Sequence, residues 1–178
     1  MGPRINALDI GLSPARQLHK GWITFVSRYE WQWFCTMTFR DCVHPESADK
    51  RFRIFISKLN RKLFGPRWSS KKYATVYWVR GIEYQKRGAL HFHALLACGG
   101  RDLNHIAIRR DWEAVWQDLS GYARIEKVRS QKDASRYVTK YVTKGGQIDL
   151  SPNLLEGGMP AQVDGLGTDL AASETHSA

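Results

Sequence analysis

Cysteine is scarce: 178 residues hold only Cys35, Cys42 and Cys98, with no CxxC pair. An odd count at such spacing excludes a disulfide-stapled framework. Two of the three sit in or beside apolar runs, so buried free thiols in a reducing compartment are expected. No stretch approaches the ~20 apolar residues of a membrane-spanning helix, and the N-terminus lacks the apolar core of a signal peptide. A soluble, cytoplasmic protein without a membrane partner is the expectation. Positive charge is missing from one end. Between Gly145 and Ala178 there is no Lys or Arg, while Asp149, Glu156, Asp164, Asp169 and Glu174 are acidic.

What is present follows from that asymmetry. The formal charge of the whole chain is +10, so residues 1–144 carry all 27 cations against 12 anions, a formal +15. A folded unit this basic attracts polyanions, nucleic acid first and an anionic membrane surface second. The length suits one domain with its own apolar core. Residues 1–146 are read as that domain, with a helical N-terminal extension at about 13–28, and 147–178 as a flexible acidic tail that is rich in Gly, Ser and Ala.

Periodicity places the elements. Ser13-Pro14 opens a helix over about 14–28, with Leu18, Trp22, Phe25, Val26 and Tyr29 at helical spacing. Trp33 to Phe39 alternates as a strand, Thr36 and Thr38 facing one way and Cys35, Met37 and Phe39 the other. Pro45 begins a long amphipathic helix to about Phe64, lined by Phe52, Phe55, Ile56, Leu59 and Leu63. A basic loop (Arg67, Trp68, Lys71, Lys72) leads to a hairpin: Tyr73 to Tyr84, a turn at Gln85 to Gly88, and Ala89 to Ala97. Asn104 is positioned to cap a helix with Ile108, Trp112, Val115, Trp116 and Leu119 inward, ended by Gly121. Tyr122 to Val128 is a short strand. Ser130 with Asp133 resembles a capping box that opens a last helix through Lys144, stopped by Gly145 and Gly146. Between the two outer helices the order is β, α, β, β, α, β. That is the α+β, ferredoxin-like split βαβ arrangement, an antiparallel sheet with helices on one face and the other partly free.

Two segments carry chemistry. In His91-Phe92-His93 both imidazoles leave the strand on the same side, while Leu90, Phe92 and Ala94 go to the core. Glu83, eight residues earlier on the other arm of the hairpin, comes almost opposite them. Two histidines and a carboxylate make a donor set for a divalent cation with open positions. The second segment is a tandem repeat, Tyr137-Val-Thr-Lys140 then Tyr141-Val-Thr-Lys144. On a helix Tyr137 and Tyr141 share a face, and so do Lys140 and Lys144. The plain alternative is an amphipathic helix with core tyrosines and solvated lysines, but four β-branched residues are a poor choice for helix stability alone. A phenol is a weak nucleophile at neutral pH, and a cation one turn away favours its ionised form. The strand Phe34-Cys-Thr-Met-Thr-Phe39 is assigned a structural or DNA-contacting role.

In this order, FCTMTF, His-Phe-His and YxxKYxxK resemble the three motifs of the HUH endonucleases, specifically rolling-circle replication initiators. The doubled tyrosine is similar to the gene A proteins of small icosahedral phages. The Glu83-to-His91 gap is similar to that of plant geminivirus replication proteins, and Gly88 before the histidine strand gives a likeness to ORF2/G2P-like replication-associated proteins. The resemblance covers about 33–146. It implies a ferredoxin-like fold with the active site on the open sheet face, and Mg²⁺ or Mn²⁺ held by Glu83, His91 and His93. It implies a nick in single-stranded or hairpin origin DNA that leaves a free 3′-OH and a 5′-phosphotyrosine. Tyr141 is the favoured nucleophile, Tyr137 the second or a structural partner, and Lys140 and Lys144 assist. DNA contacts are expected from Thr36, Thr38, Arg67, Trp68, Lys71, Lys72, Lys86 and Arg87. No GxxxxGK[ST] sequence occurs, so host helicase and polymerase are expected partners. A related transposase, a non-catalytic nucleic-acid binder and a two-His-one-carboxylate iron oxygenase are the rivals; the last leaves the +15 domain and the tyrosine repeat without a purpose.

Overall fold

The computed structural model describes residues 13–70, 75–84, 88–140 and 147–154. A five-stranded, wholly antiparallel sheet has the order β4-β1-β3-β2-β5. Its strands are β1 (Trp33–Thr38), β2 (Val76–Tyr84), β3 (Leu90–Cys98), β4 (Ala123–Lys127) and β5 (Ile148–Leu150). The helices are α1 (Pro14–Val26), α2 (Pro45–Phe64), α3 (Leu103–Ile106), α4 (Arg109–Leu119) and α5 (Gln131–Thr139). The expected split βαβ order is present.

Alternation along the strands builds two cores. Trp33, Cys35 and Met37 of β1 and Leu90, Phe92, Ala94 and Leu96 of β3 meet Phe52, Phe55 and Leu59 of α2 and Trp112 and Trp116 of α4. The opposite face of the sheet carries Tyr77, Val79, Leu95 and Ala97, which pack with Val26, Tyr29, Trp31 and Val138 under α1 and α5. The second face is thus covered at one end and partly open at the other, where His91 and Glu83 are half-buried and His93 is buried. A paired amide lock fixes α5 there: Trp31 N donates to Gln131 Oε1 at 2.9 Å, and Gln131 Nε2 donates back to Trp31 O at 2.8 Å. The expected cap is formed, Ser130 Oγ accepting from Asp133 N at 3.2 Å.

Gly88, at φ +77°, ends the hairpin turn in backbone space that L side chains avoid. Gly121 serves close approach instead. A Cβ there would lie 2.7 Å from Thr38 O and 2.9 Å from Arg40 N, so the chain entering β4 nests against the exit of β1.

Four expectations need correction. The stretch 147–178 is not a free tail at its start: Ile148–Leu150 pair with β2, and Ser151 and Leu154 are buried. Asp149 of β5 faces back to Arg80, which its polar composition had concealed. Asn104 does not cap a long helix. Asp102 caps the short α3 by accepting from Asn104 N at 2.9 Å, and the chain reopens before α4. Ile108, at the head of α4 with extended backbone, is 67% exposed rather than core. α1 ends at Val26 and β1 at Thr38, a little short of the expected limits. Tyr73, the Gln85–Arg87 turn, and the end of the last helix at Gly145 and Gly146 lie outside the described residues.

Candidate active site

β3 runs through the middle of the sheet between β1 and β2, so its two histidines have neighbours on both flanks. His91 is opposite Glu83 on β2 and Thr38 on β1; His93 is opposite Gly81 and Thr36. All side chains of these six positions except the glycine's leave the sheet on one face. Glu83 leans diagonally, its Oε2 3.0 Å from His93 Nε2. Thr36 Oγ1 lies 3.5 Å from His93 Nδ1 on the other side. A ring protonated at Nε2 donates to Glu83 and leaves Nδ1 to accept from the threonine, so His93 is held at both nitrogens. Thr38 Oγ1 is turned to its other neighbour and donates to Tyr122 O at 3.0 Å.

Burial pulls His93, only 4% exposed, below the usual histidine range; hydrogen bonding and attraction from Glu83 oppose this, and the charges of Lys140 and His91 add to it. Burial lowers His91 as well, against the pull of Glu83. Both shifts favour the neutral ring, the state that offers a lone pair to a cation.

α5 delivers the phenol. Ser135, Val138 and Thr139 are buried, which turns Tyr137 toward the accessible end of the sheet with 41% exposure. Its ring meets His93 edge-on at 5.3 Å between centroids and Phe34 at 5.1 Å. Phe34 in turn stacks on His93, 6.3 Å away and 12° from parallel. Lys140 places its Nζ 3.5 Å from the centroid of the Tyr137 ring, a cation over an aromatic face. A carboxylate, two neutral imidazoles, a hydroxyl, a phenol and an ammonium group thus share one small patch.

A carboxylate oxygen and two neutral imidazole nitrogens on one side of a sheet suit a hard or borderline divalent cation in chemistry. As the side chains stand, no group of three or more His, Cys, Asp or Glu among the described residues is arranged to hold a metal ion. His93 and Glu83 are turned to each other instead.

The residues of this site all lie within the range matched by a family model. Residues 32–146 match the model of Replication-associated protein ORF2/G2P. The chain belongs to that family. No curated protein and no solved structure matches it. For a replication-associated protein the basic composition has a ready purpose in contact with DNA.

Of the site residues expected for this family member, Glu83, His91, His93, Tyr137, Lys140, Thr36 and Thr38 are brought to one face. Arg67 and Trp68 are not. They lie by the start of β2, and Trp68 lines a cleft with Ile56 and Trp78 on the helix-covered side. Glu83 is seven residues further along that strand, roughly 24 Å at ~3.4 Å per residue. Tyr141, Lys144, Lys71, Lys72, Lys86 and Arg87 lie outside the described residues. Phe34 was missed in the sequence although it shares the alternation of Thr36 and Thr38, which points it at the site. Arg124, opposite Thr36 on β4, was missed for want of a motif. Among the described residues no helix is long and apolar enough to cross a membrane.

Proposed function

We propose that this replication-associated protein is a rolling-circle initiator that nicks and rejoins single-stranded or hairpin origin DNA through a 5′-phosphotyrosine. The observation that carries the reading is the contact of Tyr137 with His93, which is itself bonded to Glu83. A core tyrosine with a solvated lysine would have no reason to meet a polar His–Glu pair at an accessible end of the sheet.

In this reading Glu83, His91 and His93 are the holders of one divalent ion, Mg²⁺ or Mn²⁺, whose chemistry there is to offset negative charge on the scissile phosphate. The phenol oxygen, of Tyr137 or Tyr141, attacks phosphorus in line. A P–O bond to tyrosine forms, the P–O3′ bond breaks, the phenol proton passes to solvent, and the departing O3′ takes up a proton. The 3′-OH is left for a host polymerase, with a host helicase opening the duplex. Lys140 and Lys144 offset charge near the attacking oxygen, and Thr36 holds the His93 ring. The phosphodiester energy stays in the tyrosyl link, so a later 3′-OH can reverse the step without ATP.

The test is nicking of end-labelled single-stranded origin DNA with Mg²⁺ or Mn²⁺. Cleavage is expected from the wild-type chain and loss of it from His93→Ala and Glu83→Ala. Cleavage that survives both substitutions would overturn the reading. A protein that binds such DNA but never cuts it would be a binder only, and joining of hairpin-flanked ends without origin nicking would indicate a transposase.

A further inference from the structure

A groove of about 620 Å³ opens beside the site, between β4 and the beginning of α5. Phe34 and Tyr137, which also touch the site, line it together with Arg124, Lys127 and Arg129. Its size lies within the ~300–1,000 Å³ range of small-ligand sites. We propose that this groove is a nucleotide subsite for single-stranded DNA, in which Arg124 and Arg129 hold a phosphate while the base lies against Phe34 and Tyr137. The proposal rests on the DNA-nicking reading for its place along the strand, and it assigns a role to residues that reading does not use.

Three observations support it. The first is alignment. Thr36 is register partner to Arg124 on one side and to His93 on the other, so Arg124, Thr36 and His93 form a row across three strands. At ~4.8 Å between strands the backbone positions of Arg124 and His93 are roughly 10 Å apart. An arginine side chain spans much of that, so the phosphate it grips neighbours the one at the histidines. The second is the mixture of groups. Single-strand sites join cations that track the backbone to aromatic faces that accept any base, and here both kinds line one groove. The third is the state of Arg124. Its guanidinium pairs with Glu126 at 2.9 Å, with both side chains largely exposed at 63% and 49%. Such a pair is weak, and the geometry suits a carboxylate that occupies the place of a phosphate oxygen and yields it. Glu126 and Asp133 also line the groove. They leave it only a small excess of positive charge, so the arginines' aim rather than bulk charge must do the holding.

The experiment is fluorescence anisotropy of a labelled single-stranded oligonucleotide in EDTA, where no cleavage occurs. Arg124→Ala/Arg129→Ala is expected to weaken binding at least ~10-fold and to flatten the log Kd against log salt slope by about 0.7, the value for the one phosphate no longer neutralised. Glu126→Gln is expected to tighten binding ~2–5-fold, because the competing carboxylate is gone. Lys58→Ala/Arg61→Ala on the outer face of α2, the same loss of formal charge, is expected to stay within ~3-fold. All four substituted cations are exposed, and circular dichroism checks that the variants fold. The subsite is overturned if the Arg124/Arg129 variant binds like the wild type, or if the α2 variant loses as much. If the wild-type chain binds no single-stranded DNA at all, the replication-initiator reading falls with it. If it binds and nicks while the Arg124/Arg129 variant binds undiminished, only the subsite falls.

Discussion

Arg80→Ala is the sharpest test of how the sheet is completed where β5 joins β2. The Arg80 side chain is 2% exposed and pairs with Asp49 of α2 at 2.7 Å and with Asp149 of β5. Its guanidinium carbon lies 4.3 Å from the ring centroid of Phe92 and 4.6 Å from that of Phe52. Removing one partner of a buried ion pair costs about 3–5 kcal/mol. Two features place this case near the lower end. Asp49 and Asp149 are 33% and 42% exposed, so water can replace the missing cation, and Arg80 Nε and Nη1 have no hydrogen-bond partner among the described residues. A loss of about 3–4 kcal/mol is expected, seen as a Tm lower by roughly 6–16 °C at ~2–4 °C per kcal/mol for a chain of this size. Arg80→Met leaves the same two carboxylates without their cation but refills the volume between the rings, so it is expected to cost about 1–2 kcal/mol less than alanine. Urea denaturation of the three proteins, read at constant m, measures both values. The reasoning is refuted if the alanine variant lies within ~0.5 kcal/mol of wild type, or if methionine is as costly as alanine.

Gly121→Ala is expected to destabilise by about 1–3 kcal/mol, because the atoms its Cβ would meet are backbone, at 2.7 and 2.9 Å; denaturation midpoints check it. Asp49 contributes to the acid limit. Its burial alone would raise the carboxyl, but hydrogen bonds from Arg53 and Arg80 hold it below its ordinary 3.8. A depressed folded value contributes stability that is whole above the unfolded value and is lost as pH falls through the folded one. Wild type is therefore expected to lose more stability than Asp49→Asn on going from pH 5 to pH 3, which acid titration followed by circular dichroism reads. Thr36→Val removes the hydroxyl at 3.5 Å from His93 Nδ1. Outer partners of metal-bound histidines carry ~10–100-fold in affinity, and so long a contact points to ~10-fold; Mn²⁺ binding followed by electron paramagnetic resonance should weaken by that factor, whereas His93→Ala should abolish it.

Much of this was legible because it followed from period two. Alternation in β1 and β3 settled which residues face the helices, and with the hairpin register it set Glu83 opposite His91. The helix faces were legible for the same reason, Phe52, Phe55 and Trp116 being wholly buried as their spacing requires. Tertiary pairing hid the rest. Ile148–Leu150 is too short to announce a strand, and its pairing with β2 and the Asp149 contact to Arg80 join residues almost seventy apart. The break before α4 arises from Asp102 capping two residues earlier than the expected Asn104, with Gln32 Oε1 accepting from Leu103 N at 3.1 Å. Arg67 and Trp68 looked like DNA contacts only because cations and aromatics cluster there; composition carries no information on which end of the sheet a loop reaches. Phe34 was within reach of the same alternation that placed Thr36 and Thr38.

The central claim is a covalent bond between DNA and a tyrosine at the end of the last helix. Mass spectrometry of the protein after incubation with origin single strands and Mg²⁺ or Mn²⁺ tests it most directly. The account predicts an adduct carrying the fragment on the 5′-phosphate side of the cut, mapped to Tyr137 or Tyr141 and absent from the Tyr137→Phe/Tyr141→Phe chain. Cleaved DNA with no adduct, or an adduct that persists when both phenols are gone, would contradict it.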